Sequence, residues 1–303
     1  MPVLRPAERI GTTLGGRYRL DEVIGAGGMG VVFRGTHTWT ERPVAVKVLN
    51  DLSDPELVRR FFREAKAATK IAHDNVVDVL DMGEASDGSP FIVLELLEGE
   101  SLAERLARRP MTPEEALTFA LPVMDALATA HASDVVHRDV KPENLFLHTD
   151  TKGRLVPKIV DFGISKLLDV TLSVQTKAGT MIGTPEYMSP EQIEGSKSID
   201  GQSDVWSIGV VLFEALAGQP PFSDRSPLGI VIKVAREPAP KLASEAPDVP
   251  PALAAAVDRA LEKPRDARHA SMHAFMDALL EAAAEAGIEV SDPREVGGRA
   301  SRA

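Results

Sequence analysis

The stretch His137-Arg138-Asp139-Val140-Lys141-Pro142-Glu143-Asn144 carries several kinds of chemistry within eight residues. It lies between the apolar runs Val135-Val136 and Leu145-Phe146-Leu147. It therefore reads as a loop held between two buried strand-like segments, and Pro142 forbids a continuous helix. An Asp five positions before an Asn can set a carboxylate and an amide oxygen on opposite sides of one small site. Asp139 can accept a hydroxyl proton, Asn144 can ligate a hard cation, and Lys141 can neutralise a phosphate. The bland alternative is a polar turn between strands, so the rest of the chain must supply the missing parts.

Downstream, Lys158-Ile159-Val160-Asp161-Phe162-Gly163 reads as a strand ending in an acid and a glycine. Asp161 is a second candidate cation ligand, although an Asp opening a turn is the default for such a residue alone. Upstream, the strand-like runs Tyr18–Ile24 and Val31–Gly35 flank Gly25-Ala26-Gly27-Gly28-Met29-Gly30. Glycines joining two strands describe a hairpin whose backbone can approach a ligand closely; a helix in second place would have suggested a dinucleotide fold instead. Pro43-Val44-Ala45-Val46-Lys47-Val48-Leu49 is an apolar strand with one lysine in its middle. The next segment, opened by Ser53-Asp54-Pro55, predicts a helix whose stripe of Leu57, Phe61, Ala68 and Ile71 also carries Glu64. A carboxylate on an apolar helix face calls for a buried cation, and Lys47 is the nearest candidate in sequence.

Composition narrows the function classes. The 303 residues are 44% hydrophobic and 26% charged, enough for one large or two modest domains with a substantial core. No segment approaches the ~18 uninterrupted apolar residues of a membrane span, and Met1–Pro6 lacks the apolar core of a signal peptide. Zero cysteines exclude disulfides and thiolate chemistry and fit a reducing cytoplasm. A net charge of -11 argues against non-specific nucleic-acid binding. If the chain handles phosphates, it must do so with a few placed cations and metal ions.

In chain order, residues 1–16 read as a flexible N-terminal segment, 17–97 as a small lobe of about five strands and one helix, and 98–286 as a mainly helical lobe. The strands of the small lobe include Asn75–Leu80 and Pro90–Glu95 around a turn at Ser86–Ser89. Thr112-Pro113-Glu114-Glu115 opens a long helix reaching about His131, and later helices are expected near 203–212, 227–236, 251–262 and 271–286. Residues 164–190 show no periodicity and carry Thr171, Ser173, Thr176 and Thr180. A loop that long inside a compact domain is usually functional. Residues 287–303 read as a tail.

Taken together, the motifs resemble those of the eukaryotic-type (Hanks-type) serine/threonine protein kinases, most of all the bacterial members, over about Tyr18 to Leu280. The resemblance implies an α+β bilobal kinase fold: a five-stranded antiparallel lobe with one helix, and a larger helical lobe. It implies transfer of the ATP γ-phosphate to protein Ser/Thr hydroxyls with magnesium, manganese being an alternative. By it, Gly25, Gly27 and Gly30 form the loop over the phosphates, and Ile24, Ala26 and Gly28 also bind the nucleotide. Lys47, held by Glu64, binds the α- and β-phosphates, while Val32, Ala45 and Phe146 sandwich adenine. Leu94 guards the back of that pocket, and Glu95 to Leu97 form the hinge. Asp139 is the catalytic base, Lys141 contacts the transferred phosphate, and Asn144 and Asp161 hold the metal. An activation segment would span 161–191; within it Thr176 and Thr180, then Thr171 and Ser173, are candidate autophosphorylation sites facing Arg138. Glu191 is expected to pair with Arg268, Asp204 to brace the catalytic loop, and Trp206 to be core. The resemblance also raises a homodimer through the small lobe, and leaves open that the chain is the cytoplasmic domain of a longer membrane-anchored protein.

Two rivals stay open, with less support from the residues. A pseudokinase scaffold would be favoured by loss of Lys47, Asp139 or Asp161, and all three are present. A small-molecule phosphotransferase shares the Asp-to-Asn spacing but lacks a 164–191 segment ending in Thr184-to-Glu191.

Overall fold

The computed structural model describes residues 5–27, 30–49, 55–161, 184–196 and 198–296. The chain divides into two compact units, residues 1–72 with 76–98, and residues 73–75 with 99–303.

The first unit is an antiparallel sheet in the order β1-β2-β3-β4-β6-β5. Its strands are β1 (Thr13–Leu14), β2 (Tyr18–Ala26), β3 (Gly30–His37), β4 (Pro43–Leu49), β5 (Val79–Glu84) and β6 (Pro90–Glu95). Strand alternation sorts its side chains onto two faces. Leu20, Val31, Phe33, Val46, Phe91 and Val93 form the core of one. On the other, Leu49 and Ile92 pack against Phe61 and Ala65 of helix α2 (Pro55–Ala68). Fully burying each of these phenylalanines contributes on the order of 2–3 kcal/mol. Val32 lies opposite Lys47, and Ala45 opposite Leu94, so by the same alternation these four share the α2 face.

Two expectations are corrected in this unit. Residues from Arg5 on are not a flexible leader: Pro6–Arg9 form one helical turn (α1), and β1 pairs with β2 as a sixth strand. The cause is Arg9, which is 3% exposed and whose guanidinium donates to Asp87 Oδ2 at 2.9 Å and Ser89 Oγ at 2.7 Å. The strand expected at 75–80 runs instead from Val79 to Glu84, and Asn75 itself belongs to the second unit, where it pairs with β9 (Leu155–Ile159).

The second unit is built around two helices buried on nearly every side, α4 (Pro113–Ala132) and α6 (Gly201–Ala217). Thr112 and Glu115 form a reciprocal cap at the start of α4. Gly218 ends α6 with φ +82°, and a Cβ there would lie 2.9 Å from Pro110 Cγ. The unit also holds α3 (Leu102–Leu106), α5 (Pro190–Ile193) and a small sheet of β7 (Gly99–Ser101), β8 (Leu145–Thr149) and β9. Helices α7 (Pro227–Arg236), α8 (Leu242–Glu245), α9 (Pro251–Ala260) and α10 (Met272–Glu285) complete it. Trp206 is fully buried, stacked on Phe222 at 6.1 Å. Part of the expected tail is also structured. Pro293–Val296 form a helical turn (α11), where Arg294 reaches Asp277 at 2.8 Å and Asp292 at 2.7 Å.

Candidate active site

In the first unit, Gly25 and Ala26 of β2 pair with Val32 and Val31 of β3. The Gly27 N–H donates to the Gly30 carbonyl at 2.9 Å, closing the tip. Gly30 is fixed by close approach: a Cβ there would sit 2.3 Å from the Val48 carbonyl oxygen. Gly28 lies outside the described residues. Ile24 is exposed, Ala45 is buried, and Val32, Lys47, Leu94, Glu95 and Leu97 are half-buried. Glu95 Oε1 accepts from the Asp78 N–H at 2.9 Å, and the Glu95 N–H donates to the Asp78 carbonyl at 3.0 Å, which ties the expected hinge to the approach to β5. Glu64 lies on α2, but its side chain is outside what the structure describes.

In the second unit, the 137–144 loop is held by side chains rather than by a backbone ladder. Asp204, on the first turn of α6, is fully buried. Its Oδ2 accepts from the His137 N–H at 2.9 Å and contacts His131 Nε2 at 2.7 Å, and its Oδ1 accepts from the Arg138 N–H at 2.8 Å. Burial pushes this carboxyl up, but the His131 hydrogen bond, the two imidazoles and the Arg138 N–H outweigh it and hold it below the ordinary value. Arg138 adopts φ +67° at the turn, a left-handed conformation costing a non-glycine residue about 1–3 kcal/mol.

The turn aims the next residues at one another. The Asp139 N–H donates to His137 Nδ1 at 3.2 Å. Asn144 Nδ2 donates to the Asp139 carbonyl at 2.8 Å and to Asp139 Oδ2 at 3.0 Å. Lys141 Nζ lies 3.2 Å from the same Oδ2. Asn144 ends a single turn, Pro142–Asn144, and its carbonyl accepts from the Val160 N–H at 3.0 Å, one residue before Asp161. Phe146 sits half-buried on β8. With Asn144 Nδ2 committed to Asp139, its amide oxygen is turned the other way. An amide oxygen and a carboxylate such as that of Asp161 would make an oxygen-only donor set, the kind that fits a hard divalent cation.

Residues 18–284 match the family described as "Protein kinase domain". The chain belongs to the protein kinase family. The serine/threonine-protein kinase pkn3 of Myxococcus xanthus is 40% identical over 261 residues, covering 84% of this chain and 48% of that protein. Pkn1 of the same organism is 39% identical over 248 residues, with 81% and 35% covered. PrkC of Bacillus subtilis is 38% identical over 244 residues, with 80% and 36% covered. These relatives place the chain among the Hanks-type kinases of bacteria, a family that uses ATP and a divalent metal. The chain spans about a third to a half of the length of these curated relatives.

Beyond the loop, α5 and the segment after α9 are joined by a buried ion pair. Arg268 Nη1 and Nη2 donate to Glu191 Oε1 and Oε2, each at 2.9 Å, and the Ser203 hydroxyl donates to Oε1 at 2.8 Å. Burial raises the Glu191 carboxyl, but Arg268 more than offsets it and leaves it below the ordinary value. Tyr187 donates its hydroxyl to Glu214 Oε2 at 2.6 Å; burial and that carboxylate push the phenol up. Arg138, the residue expected to receive a loop phosphate, has a half-buried guanidinium that burial pushes below its usual value. Its Nε is buried with no hydrogen-bond partner among the described residues. Thr171, Ser173, Thr176 and Thr180 lie outside the described residues. Sequence reasoning missed the anchors at residues 73–75. There His73 Nε2 contacts Asp125 Oδ2 at 3.1 Å, Asn75 Nδ2 donates to the Pro157 carbonyl at 2.6 Å, and the Asn75 carbonyl accepts from the Ile159 N–H at 2.8 Å. It also missed Gln192, for which only the Ser-x-x-Gln cap was legible.

Proposed function

We propose that the chain is a serine/threonine protein kinase that transfers the ATP γ-phosphate to protein Ser/Thr hydroxyls. The observation that carries this reading is the Asp139 carboxylate held beside Lys141 and Asn144 on a loop locked by Asp204. Asp139 accepts the proton of the incoming hydroxyl, and Lys141 neutralises charge on the phosphoryl group in transit. Asn144 and Asp161 hold magnesium, or manganese in its place. The chemistry the metal supplies when bound is neutralisation of phosphate-oxygen charge. The first unit grips the nucleotide: Gly25, Gly27 and Gly30 cover the phosphates, Ile24, Ala26 and Gly28 also contact the nucleotide, and Lys47, paired with Glu64, binds α- and β-oxygens. Val32, Ala45 and Leu94, with Glu95 to Leu97 and Phe146, hold the base. Lys141 following Asp139, together with Thr184, favours Ser/Thr over Tyr as acceptor.

Regulation by loop autophosphorylation belongs to the same reading. A phosphothreonine at 176 or 180, or a phosphate at 171 or 173, would give the half-buried Arg138 a charge-assisted partner. A cytoplasmic, signal-transducing role and a homodimer through the first unit rest on the resemblance; light scattering tests the dimer. No helix among the described residues is long and apolar enough to cross a membrane. The test of function is intact-mass spectrometry before and after incubation with Mg-ATP, with Asp139→Asn in parallel. Phosphates gained by the wild type, mapped within 171–180 and lost in the variant, support both transfer and autophosphorylation. A wild type that gains no mass, phosphorylates no added protein and binds no nucleotide defeats the reading.

A further inference from the structure

We propose that Gln192 is a positioning residue for phosphoryl transfer, fixing the peptide that joins Arg138 to Asp139; this rests on the kinase reading above. Gln192 is 6% exposed and lies on α5, 54 residues along the chain from Arg138. Its amide is committed at both ends. Oε1 accepts from the Ser189 N–H at 3.0 Å and the Ser189 hydroxyl at 3.2 Å, which forms the cap of α5. At the other end, Nε2 donates to the Arg138 carbonyl at 2.8 Å. The flip state of the amide follows from these partners, because a reversed group would face two donors with a third.

The position matters because Arg138 is the left-handed residue of the loop. Its N–H is held by Asp204 and its carbonyl by Gln192, so a side chain fixes each end of the strained residue. Release of the carbonyl lets the 138–139 peptide rotate toward unstrained backbone, and that rotation carries Asp139 with it. Catalysis by positioning is sensitive to such movement: about 1 Å of misplacement can cost ~100-fold in rate. Gln192 therefore joins the end of the activation segment to the backbone of the proposed base, by a route that does not use the Arg138 guanidinium.

The cap and the donation can be separated by substitution. Gln192→Glu keeps the cap acceptor, since Glu serves in that motif as well as Gln, and removes the donor. Gln192→Met is a neutral variant that also lacks the donor. Ser189→Ala removes the cap hydroxyl and leaves the donor in place. We expect kcat to fall about tenfold in both Gln192 variants, with the KM for ATP within about twofold of wild type. Ser189→Ala should melt earlier yet keep kcat within about twofold. Amide exchange across 137–140 should quicken in both Gln192 variants and not in Ser189→Ala. Unchanged kcat and exchange in both Gln192 variants overturns the proposal. So does a loss of turnover in Ser189→Ala matching theirs, because the effect would then be helix capping alone. A wild type without transfer activity defeats the kinase reading, and the exchange measurement still decides whether Gln192 fixes the loop.

Discussion

Replacing Arg268 with lysine tests whether its buried pair with Glu191 holds the second unit by geometry or by charge alone. The Arg268 side chain is fully buried and makes five hydrogen bonds. Two go to the Glu191 carboxylate and three to the carbonyls of Glu262, Gln202 and Lys263. Lysine keeps the charge but offers one nitrogen with three protons and cannot span both carboxylate oxygens. Breaking a buried pair costs about 3–5 kcal/mol, and the retained charge puts Arg268→Lys near the lower end. At ~2–4 °C per kcal/mol, the melting temperature should drop by roughly 6–12 °C. Differential scanning fluorimetry and urea unfolding measure it, and Glu191→Gln with the double variant completes a cycle whose coupling should exceed about 1 kcal/mol. The pH dependence has a definite sign. The folded Glu191 carboxyl lies below its ordinary value, so its stabilisation is complete above an unfolded value of about 4.3 and fades as pH falls through the folded one. The gap between wild type and Arg268→Lys should therefore be widest above about pH 4.3 and close in acid. A lysine variant melting within about 2 °C of wild type at pH 7 would refute the argument.

Asp204→Asn replaces an acceptor of three donors by a group that must turn an NH2 toward one of them; we expect a loss of about 3 kcal/mol in urea unfolding and a kcat that falls while the KM for ATP holds. Gly30→Ala would put a methyl 2.3 Å from the Val48 carbonyl, so β3 must shift from β4; calorimetric nucleotide affinity should weaken at least about tenfold, with ~1–3 kcal/mol of overpacking strain. Lys263, stacked over the Trp206 and Phe222 rings at 4.9 and 4.2 Å, is lowered to about 8 by burial and by Arg268. Between about pH 8 and 10 the unfolded chain holds this proton more tightly, so wild-type stability should rise with pH relative to Lys263→Met; a flat or falling difference in melting temperature contradicts it.

The elements legible in the sequence are those whose cause is local. The glycines of 25–30, the lysine at the centre of β4 and the 137–144 octet each announce their chemistry within a few residues. The departures have non-local causes. Arg9 fell within the stretch read as a flexible N-terminal segment, and nothing local marks its partner Asp87, 78 positions away. Asn75 to Asp78 looked like the start of a strand because Val76 and Val77 continue an apolar pattern. Yet Asn75 commits both its side-chain amide and its carbonyl to β9, and strand β5, with its register against β6, begins only at Val79. Periodicity records which faces are apolar, not which backbone groups have already been claimed by a partner.

The catalytic loop carries that distinction furthest. Its residue types are readable because the proposed proton acceptance, cation ligation and phosphate neutralisation each need a particular side chain. Its shape is not, because the loop runs through a left-handed residue that its own sequence disfavours: Arg138 is neither glycine nor asparagine. The conformation survives because supports from other elements outweigh the strain: Asp204 from α6 and Gln192 from α5 bind its backbone, while His131 from α4 steadies Asp204. Each support is a side chain bonded to loop backbone or to another support, so none leaves a pattern in residues 137–144. A variant that keeps the octet intact can therefore lose turnover through α5 or α6. The proposed chemistry needs the motif, but the helices beneath it decide whether Asp139 points where that chemistry requires.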